Sequence, residues 1–154
     1  MDCFLHIVYG VALLGFRWEV VLGSILPDFF YFVAGVEKKL NLEKIRRAKI
    51  YLMGEKAHSL FLFPSVLLLA YFITGAQSAL YLVGSVYLHL FLDILTHREH
   101  GPKFLWPLSN KHIPKGLIQW EDWRAIIVGW SAGLFLLFCR LWLTKFFLFK
   151  FGGW

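Results

Sequence analysis

HLFLDILTH, residues 89–97, sets two histidines and an aspartate four residues apart inside an apolar run. On a helix, His89, Asp93 and His97 stack along one face about a turn apart. Each is costly to remove from water without a partner. The pattern therefore predicts a helix in apolar surroundings that carries ligand-type side chains on one stripe.

Composition says what those surroundings are. Of 154 residues, 58% are hydrophobic and 19% aromatic, with a mean hydropathy of +0.61. An average soluble domain has roughly 45–50% apolar residues. The reading is an all-α integral membrane protein, a single domain over residues 1–154. The net charge of +6 could suit nucleic acid, but the basic residues are gathered into two loops between apolar segments, as a membrane surface selects. Nucleic acid is not an expected partner; membrane lipids are.

Cys3 and Cys139 lie in apolar stretches without C-x-x-C spacing, which supports packing rather than a disulfide or a thiolate site. The N-terminal MDCFLH carries an acid where a signal peptide carries basic residues, and no small-residue cleavage site follows. It reads as retained.

Four apolar regions follow along the chain: 3–33, interrupted by Phe16-Arg17-Trp18-Glu19; 59–74 and 78–96, split at Gly75-Ala76-Gln77-Ser78; and 125–149. The polar loops 37–56 and 97–124 hold seven and five Lys/Arg, 12 of the 16 in the chain. The middle pair forms a hairpin, so both loops lie on one side, and the positive-inside rule makes that side cytoplasmic. Lys145 and Lys150 count mildly against this. Trp106, Trp120 and Trp123 suit an interfacial belt.

Each half of the first region, about 12–15 residues, falls short of a ~30 Å hydrocarbon core. It reads as a short helical hairpin turning at Arg17. His6 lies 11 residues before that turn and Asp28 11 after it, so the two are level. His58 and Asp93 are likewise equidistant from a midpoint between Gly75 and Ala76. The expected architecture is a short N-terminal hairpin, a transmembrane hairpin and a C-terminal transmembrane helix.

The polar set inside these segments is His6, Asp28, His58, His89 and Asp93, with His97 one turn further. Ionisable residues in membrane segments default to a functional reading. Imidazole nitrogens and carboxylates suit Zn²⁺ or a similar divalent ion, whose charge offsets their burial. The set could hold two ions if Asp93, flanked by His89 and His97, bridges them. Ordinary roles stand beside this: Asp28, after Pro27, could cap or end a helix, His58-Ser59 could begin one, His6 could sit at the interface, and His89/Asp93 could be a hydrogen-bonded pair. Five such roles at matched depths are harder to arrange than one shared ion. His100 and His112 read as solvated, and Ser59 as a cap or a support for a ligand.

The elements GSILPD (23–28), AHS (57–59), HLFLD (89–93) and GPKFLWP (101–107) resemble, in that order, those of the membrane-bound metal-dependent hydrolase family that includes the LexA-regulated inner-membrane protein of enteric bacteria. The order also resembles the all-helical zinc-dependent phospholipase C and P1 nuclease superfamily. That resemblance implies Asp28, His58, His89 and Asp93 on one zinc, and Asp93 bridging to a second held by His6, with the chain's N-terminus open as a further donor. It implies His89 and Asp93 in the catalytic centre, and phosphoester hydrolysis by a water whose pKa the metal lowers to about 7. The likeness to the first family implies an inner-membrane, multi-pass location, and the positive-inside reading of the loops puts the metal site toward the cytoplasmic side. Two departures stand out: Phe30 occupies a position where relatives often have a second acid, and Met53-Gly54-Glu55 replaces a His-Arg-Gly stretch. For a third ion, only His97, Glu99 and His100 offer a remnant of a ligand set.

A site flanked by basic loops favours anionic lipid headgroups. Lys38, Lys39, Arg46, Arg47 and Lys49 form the densest basic cluster, either as headgroup contacts or as charges that set topology. Competing with the phosphoester or phospholipid hydrolase are a membrane protein whose metal is structural, and a metal-free adaptor recruiting acidic partners through 37–56.

Overall fold

The computed structural model describes residues 3–39, 44–97, 102–112, 116–119 and 122–151. The described chain is mostly helical, with no strand among the described residues. The helices are α1 (Cys3–Leu14), α2 (Trp18–Ile25), a 3-10 turn (Leu26–Asp28), α3 (Phe29–Lys39), α4 (Lys44–Ala57), α5 (Leu62–Thr74), α6 (Ala76–Thr96) and α7 (Trp123–Phe151). Among the described residues, three segments are long and apolar enough to cross a membrane: Trp18–Val36, Ala76–Thr96 and Trp123–Phe146.

The first turn falls where the charged interruption predicts it. Gly15, at φ +108°, ends α1 in a conformation that side chains rarely adopt, and Arg17 enters α2 extended. Arg140 of α7 donates to the carbonyls of Ala12 and Leu13, both at 3.2 Å, satisfying acceptors that a helix C-terminus leaves open.

The second arm of this hairpin is longer than its sequence suggests. Pro27 does not end the helix. It sits in the three-residue 3-10 turn, and the residues on either side, Leu26 and Phe29, keep right-handed helical angles, so α2 and α3 run on as one 19-residue apolar segment. The expectation that neither half could span is corrected accordingly. The polar loop 37–56 is also corrected: residues 44–57 form α4, which packs against α3. That stretch is rich in Lys, Arg and Ala, adds Leu52, Met53 and Glu55, and lacks proline, so helix propensity outweighs its polarity.

The α5–α6 turn contracts to the single residue Gly75, φ +84° and ψ 166°. The central helix α6 packs on α1, α2 and α5. It meets α2 at small residues: a Cβ added at Gly23 would collide with Ser85 Oγ and the Leu82 carbonyl, and α1 meets α2 in the same way, where a Cβ at Gly10 would lie 2.5 Å from Ser24 Oγ. Close backbone approach of this kind is how membrane helices gain contact energy. Beneath it, Val86, Leu90 and Phe104 form a core flanked by Leu26 and Leu60. By contrast α7, packed on α1, is mostly exposed along its length, with Phe135 and Phe138 pointing outward as lipid-facing side chains do.

Candidate metal centre

Helix spacing puts His6, Asp28, His58, His89 and Asp93 at one level, and the structure brings all five together. His6 comes from the first turn of α1, Asp28 ends the 3-10 turn, His58 follows α4, and His89 and Asp93 lie on α6. One donor atom each from Asp28, His58, His89 and Asp93 falls within 4.8 Å of all the others. His58 Nε2 is 3.3 Å from Asp28 Oδ1 and 3.2 Å from Asp93 Oδ2, and His89 Nε2 is 3.2 Å from Asp93 Oδ2 and 3.8 Å from Asp28 Oδ1. Four ligands arranged tetrahedrally at ~2.0–2.1 Å from zinc would be about 3.3 Å apart.

Both imidazoles are held by backbone carbonyls. His58 Nδ1 donates to Gly54 O at 2.8 Å and His89 Nδ1 to Ser24 O at 2.7 Å, leaving each Nε2 directed at the carboxylates. A carbonyl on the far nitrogen is the usual way a metal-ligating histidine is oriented. The Gly54 carbonyl lies four residues before His58, as helical geometry at the end of α4 provides. The Ser24 carbonyl is available because 3-10 pairing runs one residue shorter than α-helical pairing. His89 Nε2, though buried, has no hydrogen-bond partner of good geometry.

His6 stands slightly apart. Its ring stacks on that of His89 with centroids 3.7 Å apart and planes 14° from parallel. His6 Nε2 lies 3.2 Å from Asp93 Oδ1, the oxygen turned away from His58 and His89, and its Nδ1 lies 3.9 Å from Asp28 Oδ2. Neither nitrogen makes an aligned hydrogen bond, although the side chain is buried. His97 approaches the same face: its Nδ1 is 3.0 Å from the Asp93 carbonyl and 3.6 Å from Asp93 Oδ1. Asp93 thus offers one oxygen to His58 and His89 and the other to His6 and His97.

At the ends of α4 and α6 the imidazoles of His58 and His97 are perturbed. Burial lowers the affinity of His58 for a proton, and Asp28 and Asp93 more than reverse this, raising its pKa to about 9. Burial pushes His97 below its usual value despite the nearby Asp93 carboxylate. The donor set, two imidazoles and two carboxylates with unpartnered buried nitrogens beside them, fits a divalent cation.

Asp28 alone among the four donors keeps measurable access, its side chain 19% exposed against 2% or less for the others. Ser59 accepts from Phe61 N at 3.1 Å and donates to the Trp106 carbonyl, so it ties the His58 turn to the 102–107 loop. The same loop bonds back through Leu60 N to Phe104 O at 2.9 Å, and Lys103 pairs with Glu55 at 2.8 Å. Lys38 and Lys49 are exposed. The side chains of Lys39, Arg46 and Arg47 lie outside the described residues, as do Met1, Glu99, His100 and Trp120. His112 is exposed.

Two contacts were not read from the sequence. Tyr31 packs 5.3 Å from the rings of both His58 and Tyr51; its position three residues after Asp28 was the available signal. At the opposite end of the bundle, buried Glu19 accepts from Ser78 Oγ at 2.6 Å and from Arg17 at 3.2 Å, while Arg17 lies over the Tyr81 ring. Glu19 was visible only as part of the charged interruption, and its partner Ser78 lies on the other hairpin.

Three apolar spans around a His/Asp cluster buried between two helical hairpins define a polytopic helical membrane protein with a candidate metal centre. More particularly, the chain belongs to the YdjM inner membrane protein family, which it matches over residues 1–151. Over 123 residues it is 27% identical to the phospho-N-acetylmuramoyl-pentapeptide-transferase of Bacillus pumilus (strain SAFR-032), an alignment covering 75% of this chain and 37% of that protein. The chain therefore spans little more than a third of that relative's length. No solved structure matches.

Proposed function

We propose that this protein is a membrane-bound, metal-dependent hydrolase acting on phosphoesters, with a phospholipid-type substrate at the membrane interface. The observation that carries the proposal is the pair of carbonyl-held imidazoles, His58 and His89, which aim Nε2 at Asp28 and Asp93 from 3.2–3.8 Å. Asp28, His58, His89 and Asp93 would hold one ion. Asp93 Oδ1 and His6 Nε2, with His97 nearby, would hold a second. A bound divalent ion, zinc foremost, supplies Lewis acidity and a water acidic enough to be a nucleophile near neutral pH.

The chain's own groups would do the rest. His58 and His89 keep their Nδ1 protons on backbone carbonyls and so present a fixed tautomer. The accessible edge at Asp28 is the side from which a phosphoester would enter. The α4 basic stretch, with Lys49 exposed, would favour an anionic headgroup at the cytoplasmic surface. The likeness to zinc-dependent phospholipase C and P1 nuclease adds motif order alone, and Phe30 supplies no second acid.

A structural metal is the second reading, favoured by the near-complete burial of three of the four donors. Elemental analysis of detergent-purified protein after dialysis against a weak chelator, followed by assays on phosphomonoesters, phosphodiesters and phospholipids, separates the two. One or two equivalents of zinc, manganese or iron, lost in His58→Ala and Asp93→Ala together with turnover, supports the hydrolase. Retained metal without turnover on any phosphoester supports the structural ion. A metal-free wild type that stays folded and refuses zinc rejects both and leaves the adaptor, which would survive Asp93→Ala but not neutralisation of 37–56.

A further inference from the structure

Between α1, α6 and the first turns of α7 lies a cavity of about 500 Å³ that the centre itself does not use. Its wall includes Leu5 and Tyr9 of α1, Leu92 and Thr96 of α6, and Ile126 and Trp130 of α7. Both hydroxyls in that wall are committed: Tyr9 donates to the Gly129 carbonyl at 3.0 Å and Thr96 to the Leu92 carbonyl at 2.9 Å. What the wall offers is hydrocarbon and ring surface. The volume falls within the ~300–1,000 Å³ of ordinary small-ligand sites.

Its place in the fold links it to the centre. Tyr9 is one turn past His6 on α1, and Thr96 one turn past Asp93 on α6. Because His6 Nε2 and Asp93 Oδ1 are 3.2 Å apart, the cavity brackets the level of the centre by a turn on either side. It also stands between the spans Ala76–Thr96 and Trp123–Phe146, where the surrounding solvent is acyl chain.

We propose that this cavity receives one acyl chain of a membrane phospholipid whose phosphate end lies at the His/Asp centre. The inference rests on the phospholipid reading above and adds to it the place where one acyl chain of that substrate is held. A straight, flexible hydrocarbon is the ligand an apolar intramembrane cavity selects, and holding it would fix the phosphate relative to Asp28 and Asp93.

The test is photo-crosslinking of the full chain, reconstituted in vesicles containing phosphatidylglycerol with a diazirine midway along one acyl chain, with adducts mapped by mass spectrometry. Leu5 is only 2% exposed, so adducts on Leu5 and Leu92 report the cavity, and adducts on Phe135 and Phe138 report bulk lipid. Ala125→Trp, which places a ring in the cavity, lowers the cavity adducts about tenfold or more, the scale of a misfit in an apolar pocket. Bulk adducts and metal content stay unchanged. Ala132→Trp, on the same wall, serves if the first variant does not fold. Cavity labelling no higher than on Phe135 and Phe138, or indifferent to both variants, overturns the acyl site even if the protein binds metal and cleaves phosphoesters. Cavity labelling that both variants suppress in a protein without metal or turnover keeps the acyl site and removes the hydrolase.

Discussion

His58 Nε2 lies 3.2 Å from Asp93 Oδ2, within a nearly dry interior where two carboxylates face each other across the same imidazole. That separation serves two states. With His58 protonated, its charge balances the buried carboxylates; with a divalent ion between them, the same atoms are spaced as ligands and the proton must leave.

Metal content should follow this geometry residue by residue. His58→Ala, His89→Ala and Asp93→Ala are each expected to remove the ion bound by the four-donor group, whereas His6→Ala removes at most a second ion, because His6 addresses the other oxygen of Asp93. Inductively coupled plasma analysis of the four variants beside wild type reads this directly.

The metal-free and metal-loaded proteins should respond to pH with opposite signs. His58 has a pKa of about 9 in the folded metal-free chain, above the ordinary imidazole value. Its contribution to stability is therefore fully present below about pH 6.5 and is lost as the pH rises through about 9. A metal competes with that proton, so metal affinity rises over the same window. Thermal melts in detergent from pH 6 to 9.5, with chelator or with zinc, would show the two slopes; parallel slopes would refute the shared position.

Gly23 should tolerate no side chain. Gly23→Val drives a branched group into Ser85 and the Leu82 backbone, an overpacking that typically costs about 1–3 kcal/mol. Gly35→Ala on α3 is the control: an added Cβ there meets nothing within 4 Å, and helix propensity alone favours the change by up to about 1 kcal/mol. Melting temperatures should fall for the first and hold or rise for the second.

Glu19→Ala should lower thermal stability without changing metal content, since it strands Ser78 and Arg17 at the end of the bundle remote from Asp93. Glu19→Gln keeps an acceptor for Ser78 and should lose less. Loss of metal in either variant would mean that the two ends are coupled.

Orientation is accessible through Lys49, which is exposed on α4. In a chain with Cys3 and Cys139 replaced by serine, Lys49→Cys should resist a membrane-impermeant maleimide in intact cells and react after permeabilisation. Labelling in intact cells would place α4, and the centre with it, on the outer side.

Much of the site was legible because helical hairpins convert sequence distance into depth. His6 and Asp28, each 11 residues from Arg17, meet in space, and so do His58 and Asp93 across Gly75. The arithmetic survives even though α4 is a helix rather than a loop, since His58 lies beyond its end. What escaped depends on local pairing. The length of the second span was missed because Trp18 and Glu19 were counted with the charged interruption and the apolar region was ended at residue 33, whereas the helical segment runs from Trp18 to Val36. The Ser24 carbonyl follows from the 3-10 turn, and the Glu19–Ser78 bond joins residues 59 positions apart whose partnership no periodicity announces.

Every member of the cluster lies between His6 and Asp93, and none comes from α7. During synthesis, all the donors leave the ribosome before the last span does. Ion capture has to await the return of the second hairpin through the bilayer, but not the completion of the chain. If the centre takes up an ion, metal acquisition and the docking of α7, through Tyr9 on Gly129 and Arg140 on the end of α1, would be separable stages of biogenesis, and a truncated nascent chain could carry its metal before the last helix has been inserted.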